Sequence, residues 1–376
     1  MHKVKLDTLQ LSDNEKRIID IVWPADVITR SEVTSSVPFT QQSTHRIVES
    51  LLEKEVLCLG ETLARGRGKP SPVIALNSAR FYTLGLSFKD SGIYMRLANI
   101  RGESMFDGVL DVENQFNGEA FGQIADKVNE QLATLEIASA QLLGVGVSIP
   151  SYRVSFQGES EVFQGFGQWP QLDYAAELER VFGLPVWVEN NANCAAIAEL
   201  MLGKGSQYPS FLYLSFGHGY GSGLVWKKEL MSGGFRNAGQ IGRTFTQQER
   251  KYRPAMANLR GYFNEQGVDF SAGIDIAVAQ NMPLVLNWYQ EVEPVLIRSL
   301  RSFIGVFDPS AIAIGGSAPK AVKQLFEVTI NKVLGEQLLI GYTPPTIYYS
   351  EIAEWAEVKG ASLLPVKKRL MSAFVL

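Results

Sequence analysis

Residues 186–199 read VWVENNANCAAIAE, and this stretch decides the fold. Val186, Trp187 and Val188 form a short β-prone apolar run, and the alanine-rich tail is the start of a helix. Between them lie Glu189, Asn190, Asn191 and Asn193. A strand that ends in polar residues and turns directly into a helix is a unit of an α/β sheet. Such sheets bind ligands at the carboxyl ends of their strands. Three of the four polar residues are amides, which donate and accept hydrogen bonds but take up no proton near neutral pH. The stretch reads as a ligand mouth that either performs chemistry or only holds what it binds. The competing reading is that the asparagines only cap the helix and satisfy local backbone groups.

Working outward, the segments YTLGLSF, GIYMRLANI and GESMFDGVL from Phe81 onward are short strands punctuated by glycine, in meander order. QLLGVGVSIP is a fourth strand and PVWVEN a fifth. A second unit opens with the hairpin SFLYLSFGHGYGSGLVWKKELM and ends in the strand AIAIGG, after a helix at 289–305. This order predicts two α/β lobes, approximately 81–200 and 201–376, with a cleft between them.

Residues 1–80 differ in character. Ser12 and Glu15 make a capping box ahead of Ile18, Ile19, Ile21 and Val22. TRSEVTSSV fits a second short helix, broken at Pro38. A third begins near Thr40 and carries Ile47, Val48, Leu51 and Leu52 at helical spacing. CLGETLARGRGKPSPVIAL then gives two β-prone runs around a tip bearing Arg65, Arg67 and Lys69. The order is that of a winged helix-turn-helix. Gln41, Gln42, Ser43, Thr44, His45 and Arg46, at the start of the third helix, are the residue types that read base edges and phosphates. The alternative is a small helical domain for protein interaction or dimerisation. Residues 1–80 hold 11 Lys/Arg against 10 Asp/Glu, and the remainder carries −5. One head so weakly charged binds DNA poorly, because phosphate neutralisation supplies most of the affinity. A homodimer, or a higher homo-oligomer, is therefore expected.

Composition excludes several classes. In 376 residues there are two cysteines, Cys58 and Cys194, and three histidines, so no disulfide framework or Cys-rich metal site is available. No apolar run approaches the roughly 20 residues that span a bilayer, and MHKVKLDTLQLSDNEK lacks the apolar region of a signal peptide. A soluble, cytoplasmic, metal-free protein without a cofactor is expected. Cys194 reads as a small buried hydrophobe. His218 reads as a turn residue.

GVGVSIPSYRV, the run from FGQWPQLDY to the asparagine cluster, FGHGYGSGLV, GGFRNAGQIGR and DPSAIAIGG together resemble the ROK family of repressors and sugar kinases. The head, including RGRGKPSPVIALN, resembles the winged helix of its repressors. The resemblance spans nearly the whole chain and implies an actin-like ATPase fold. Departures from the family's kinases concern the chemistry. Their first phosphate loop, Asp-x-Gly-Gly-Thr, corresponds here to Ser87, Phe88, Lys89, Asp90 and Ser91. Their Glu-Asn-Asp-Ala-Asn supplies a general base where this chain has Asn191. Their Glu-Ile-Gly-His, with a sugar-binding Glu and a zinc-binding His, corresponds to Gln240, Ile241, Gly242 and Arg243. The cysteines that complete that zinc site are absent from TFTQQERKYRPAMANLRGYF, and a further sugar-contacting Glu falls at Arg260. GHGYGSG keeps the second phosphate turn, though a tight hairpin explains it equally. Gly315 and Gly316 match a nucleotide-side turn.

The resemblance implies a regulator of carbohydrate genes that binds operator DNA and a sugar, sugar acid or phosphorylated sugar. The expected effector residues are Asn190, Asn191, Gln240, Arg243, Arg260 and Trp169, the last also explicable as a loop anchor. Loss of a general base typically costs about 10²–10⁴-fold, so no enzymatic activity is expected. Two alternatives stand. One is a sugar kinase with a DNA-binding appendage, using Asp90 or Glu189 as base. The other is a regulator governed by a protein partner.

Overall fold

The computed structural model describes residues 9–60, 73–89, 91–112, 120–153, 160–162, 173–336, 343–352 and 354–372. The chain divides into two compact units. The first comprises residues 1–151, 158–189 and 361–376, and the second residues 152–157 and 190–360.

The first unit begins with the head. Its order is α1 (Asp13–Val22), β1 (Ile28–Thr29), α2 (Arg30–Ser36), α3 (Gln41–Glu53), β2 (Leu57–Leu59) and β3 (Val73–Leu76). The three strands pair antiparallel in the order β1-β3-β2. Three helices and this small sheet are consistent with a DNA-binding head. Ser12 and Thr29 each form a complete capping box, with Glu15 and Glu32, and Thr40 caps α3 by accepting from the Ser43 amide. Such caps stabilise a helix by about 1 kcal/mol each. Glu15 does more than cap. Its buried carboxylate also accepts from Ser50 Oγ at 2.8 Å and Lys54 Nζ at 2.6 Å, fastening α1 to the end of α3.

The body of this unit holds β4 (Tyr82–Lys89), β5 (Gly92–Asn99), β6 (Ser104–Leu110), α4 (Ala120–Thr134), β7 (Leu142–Ile149), β8 (Ser151–Arg153), β9 (Ser160–Val162), α5 (Tyr174–Phe182) and β10 (Val186–Asn190). The five-stranded sheet runs β10-β7-β4-β5-β6, and β8 pairs with β9. Strands β4, β5 and β6 form an antiparallel meander, while β7 lies parallel to β4. The head is tied to this body. Arg101 donates to Ala25 O at 3.1 Å and to Asp26 at 2.7 Å. Ser372, near the end of the described chain, bonds Asp20 of α1.

The second unit contains α6 (Asn191–Leu202), β11 (Ser210–Phe216), β12 (Tyr220–Trp226), β13 (Glu229–Leu230), α7 (Met256–Glu265), α8 (Ile274–Gln280), α9 (Met282–Phe307), β14 (Ala311–Gly315), α10 (Lys320–Glu336) and β15 (Thr346–Tyr349). Helix α11 (Ala356–Arg369) then carries the chain from the second unit back to the first. The sheet order, β13-β12-β11-β14-β15, repeats that of the first sheet. In each, an antiparallel meander of three strands is extended by strands on the side of its first member. This duplicated α/β topology is the actin-like fold. Strand β11 is buried throughout, as a central strand covered on both faces requires.

Ser87, Phe88 and Lys89, aligned with the start of the kinases' first phosphate loop, are strand here. β4 continues through Lys89, which pairs with Gly92. Phe88, 2% exposed, packs edge-on against Tyr174 and Phe121, with ring centroids 5.5 and 6.5 Å away. Edge-to-face pairs of this kind contribute about 0.5–1.5 kcal/mol beyond their burial.

Candidate functional site

On the head, α3 presents Gln41, Gln42, Ser43, His45 and Arg46, all exposed. Thr44 departs from expectation. It is 1% exposed and its hydroxyl donates to Thr40 O at 3.1 Å, so it closes the first turn inward and presents nothing to a ligand. The reason is helical periodicity: Thr44 shares the inner face with Val48 and Leu51. Sequence reading missed Arg30 of α2, which reaches across to α3. Its Nη1 lies 2.9 Å from His45 Nδ1 and 2.5 Å from Glu49 Oε1. A guanidinium only donates, so Nδ1 accepts and the neutral ring carries its proton on Nε2. Since the His45 side chain is 61% exposed, that leaves a fixed donor on the outer face. Only the His45–Glu49 spacing, i to i+4, was visible in sequence; the cross-helix partner was not. Arg65, Arg67 and Lys69 lie outside the described residues.

The asparagine mouth belongs to the second unit. Asn190 is the N-cap of α6, its Oδ1 accepting from Ala192 N at 2.8 Å, and Asn191 Oδ1 accepts from the same amide at 2.9 Å. Both side chains are half-buried, whereas Asn193 is 3% exposed. Capping therefore accounts for the carbonyl oxygens of the first two asparagines. Their amide NH₂ groups supply the donors that a carboxylate would lack. Helix α6 lies directly on β12: a Cβ on Gly223 would come 2.5 Å from Ala196 Cβ and 2.9 Å from Ala192 O. Glycine is required there by close approach, not by backbone angle.

The segment carrying Gln240 is fastened to the same strand. Ser222 Oγ donates to Gly239 O at 2.6 Å, and the backbone turns through Gln240 into the short helix Ile241–Thr244. Strand β12 thus brings α6 and the 239–243 turn into one neighbourhood. Gln240 is half-buried and Arg243 exposed. Arg260 is half-buried on α7. No ion pair or side-chain hydrogen bond engages Arg243 or Arg260 among the described residues. Trp169 and Asp90 lie outside the described residues. No group of three or more His, Cys, Asp or Glu is placed to hold a metal ion among the described residues.

Two glycine turns meet at the carboxyl ends of the parallel strands β11 and β14. In the hairpin between β11 and β12, Gly217 O and His218 O accept from Met256 N at 2.9 Å and Ala257 N at 3.0 Å, the otherwise unpaired first amides of α7. Beside it, Gly316 has φ +83°, and a Cβ there would come 2.4 Å from Phe216 O. Ala318 N donates to Phe216 O at 2.7 Å, which locks the two turns together. A Cβ on Gly219 would meet nothing within 4 Å. The arrangement leaves open backbone at the strand ends, where this sheet class receives ligands.

A three-helix head ahead of a duplicated actin-like body defines a class of protein. The ROK family model matches residues 119–367, and the chain belongs to the ROK family. A putative xylose repressor of Caldicellulosiruptor sp. (strain Rt8B.4) is 23% identical over 393 residues, spanning 95% of this chain and 96% of the relative. The beta-glucoside kinase of Listeria monocytogenes serovar 1/2a is 29% identical over 230 residues, 56% of this chain and 77% of the kinase. Among solved structures, a ROK family transcriptional regulator, a homologue of the E. coli MLC protein, superposes with a TM-score of 0.77. It is 20% identical and covers 95% of this chain and 96% of its own.

The kinase match corrects one expectation. Absence of the aspartate at Asn191 suggested a chain without enzymatic activity, yet a kinase aligns across most of its own length. The physical reason is that phosphoryl transfer rests mainly on positioning and electrostatic stabilisation. Loss of one base lowers a rate without abolishing the fold that positions the reactants.

Proposed function

We propose that this protein is a DNA-binding regulator of carbohydrate genes whose body binds a sugar or sugar-derived effector. The observation that carries this reading is the head. A capped α3 presents Gln41, Gln42, Ser43, His45 and Arg46 outward, and it stands in one compact unit with a sugar-kinase-like lobe. Full-length likeness to a putative xylose repressor supports it. Arg46, with the glutamines, reads base edges; Arg65, Arg67 and Lys69 neutralise phosphates. Asn190, Asn191 and Gln240 bond the effector's hydroxyls, and Arg243 and Arg260 favour an acceptor-rich ligand such as a sugar acid or sugar phosphate. Two heads of a homodimer engage half-sites roughly 34 Å apart.

Selection from a random DNA pool tests the reading. A single enriched inverted-repeat motif is expected, bound with a steep salt dependence. Recovery of no motif would overturn it.

A second reading is ATP-dependent phosphorylation of a sugar. The paired glycine turns at the ends of β11 and β14, together with the kinase relative, favour it. A coupled assay for ADP release across a sugar panel measures it directly, and turnover is compatible with DNA binding.

A further inference from the structure

On the DNA-binding reading proposed above, we infer that Arg30 of α2 is a positioning residue for His45 of α3. It sets the ring to read one guanine edge in the major groove as a neutral donor. Thr29 caps α2 through a complete capping box with Glu32, which fixes the backbone from which Arg30 projects. The contacts of Arg30 with α3 come from one nitrogen. The two N–H bonds of Nη1 go to His45 Nδ1, 2.9 Å away, and to the Glu49 carboxylate. Glu49 alone does not hold the ring, because its Oε1 lies 3.8 Å from Nδ1, beyond hydrogen-bond reach. With Nδ1 committed as an acceptor, the ring carries its proton on Nε2 and its orientation is set.

Helical phase leaves the ring outside. Thr44, Val48 and Leu51 form the inner face of α3, and the His45 side chain is 61% exposed. Arg30 is 28% exposed with its Nε buried, so the guanidinium stands behind the ring as its support.

The charge around the ring separates a base edge from a phosphate. Arg30 is paired with Glu49 and the imidazole is neutral, so the three side chains carry no net charge. A phosphate contact draws its strength from positive charge, and a phosphate at Nε2 would also approach the Glu49 carboxylate. A base edge is uncharged and meets no such penalty. A lone N–H only donates, so it matches acceptors and is opposed by the amino groups of cytosine and adenine. Guanine presents O6 and N7 as neighbouring acceptors in the major groove, whereas thymine sets a methyl group beside its O4. Guanine is the base this donor selects.

Selection from a random DNA pool with the full-length protein, then fluorescence anisotropy on single-base variants of the selected site, tests this. His45→Ala should cost about fivefold at one base position, the worth of one hydrogen bond, and that base should be guanine. The salt slope should not change, since a neutral donor displaces no counterion. Arg30→Met combined with Glu49→Met removes the clamp without altering net charge. It should lose the same preference at the same position and leave affinity for unrelated DNA unchanged. Arg30→Lys should keep most of the preference, because an ammonium offers three donors on one nitrogen. Long-range nitrogen–proton NMR spectra at about pH 8, where an ordinary imidazole is neutral, should place the His45 proton on Nε2. Recovery of no motif by the wild type overturns this role together with the DNA-binding reading. With a motif in hand, four results overturn the role of Arg30 and His45 alone. These are uniform weakening by His45→Ala, a base other than guanine, a proton on Nδ1, and a double variant that keeps the preference or weakens all DNA alike. Loss of the preference in Arg30→Lys does the same.

Discussion

At the scale of single residues, Arg46, Arg243 and Phe88 each carry a distinct expectation. Arg46→Ala should lose discrimination worth about 1–3 kcal/mol at one base position, whereas Arg65→Ala with Arg67→Ala should weaken all sequences alike and flatten the salt slope. Fluorescence anisotropy on matched and scrambled operators separates the two effects. Arg243 is exposed and no ion pair engages it among the described residues, so Arg243→Ala should weaken a sugar acid or sugar phosphate more than its neutral counterpart. Equal changes for both would mean that the guanidinium faces only solvent. Phe88→Ala should destabilise the first unit by about 3–5 kcal/mol by opening a hole among Phe121 and Tyr174. A melting curve checks this.

At the scale of elements, Glu15 is the junction of the head. Burial alone would raise its carboxyl pKa, but Lys54, Ser12 and Ser50 outweigh that and hold it below its ordinary value. A depressed carboxylate stabilises the fold above its unfolded pKa and loses that contribution as pH falls through the folded one. Amide exchange in α1 and α3 should therefore accelerate below the ordinary carboxylate range, and Glu15→Gln should flatten that dependence. Element by element, the sequence was legible wherever local chemistry decides. The capping residues Ser12, Thr29 and Thr40 mark the three head helices, and the alternating glycines marked the meander strands. Helix α9 extends further than the 289–305 read from sequence, to Met282–Phe307. Pro283 lies in its first turn, where no amide is needed. The Arg30–His45 link was not legible, because it joins two different helices through side-chain geometry. Thr44 was misplaced because residue type was read without helical phase.

At the scale of the whole molecule, the account requires that ligand and DNA sense one another. One physical route is on the chain itself. Helix α11 begins against α6, where a Cβ on Gly360 would come 1.7 Å from Cys194 O. It ends at Arg369, three residues before Ser372 bonds Asp20 of α1. Ser372→Ala should leave sugar affinity intact while reducing the effect of sugar on DNA binding, measured by paired titrations. Coupling of this kind is reciprocal: an effector that changes DNA affinity by a factor must have its own affinity changed equally by DNA. The most direct measurement is the operator dissociation constant of the full-length protein, with and without saturating sugar effector. The account predicts a shift of about 5–150-fold, typical of allosteric coupling, in either direction and abolished by Gln240→Ala. An operator affinity unchanged by every sugar, sugar acid and sugar phosphate that binds the body would contradict it.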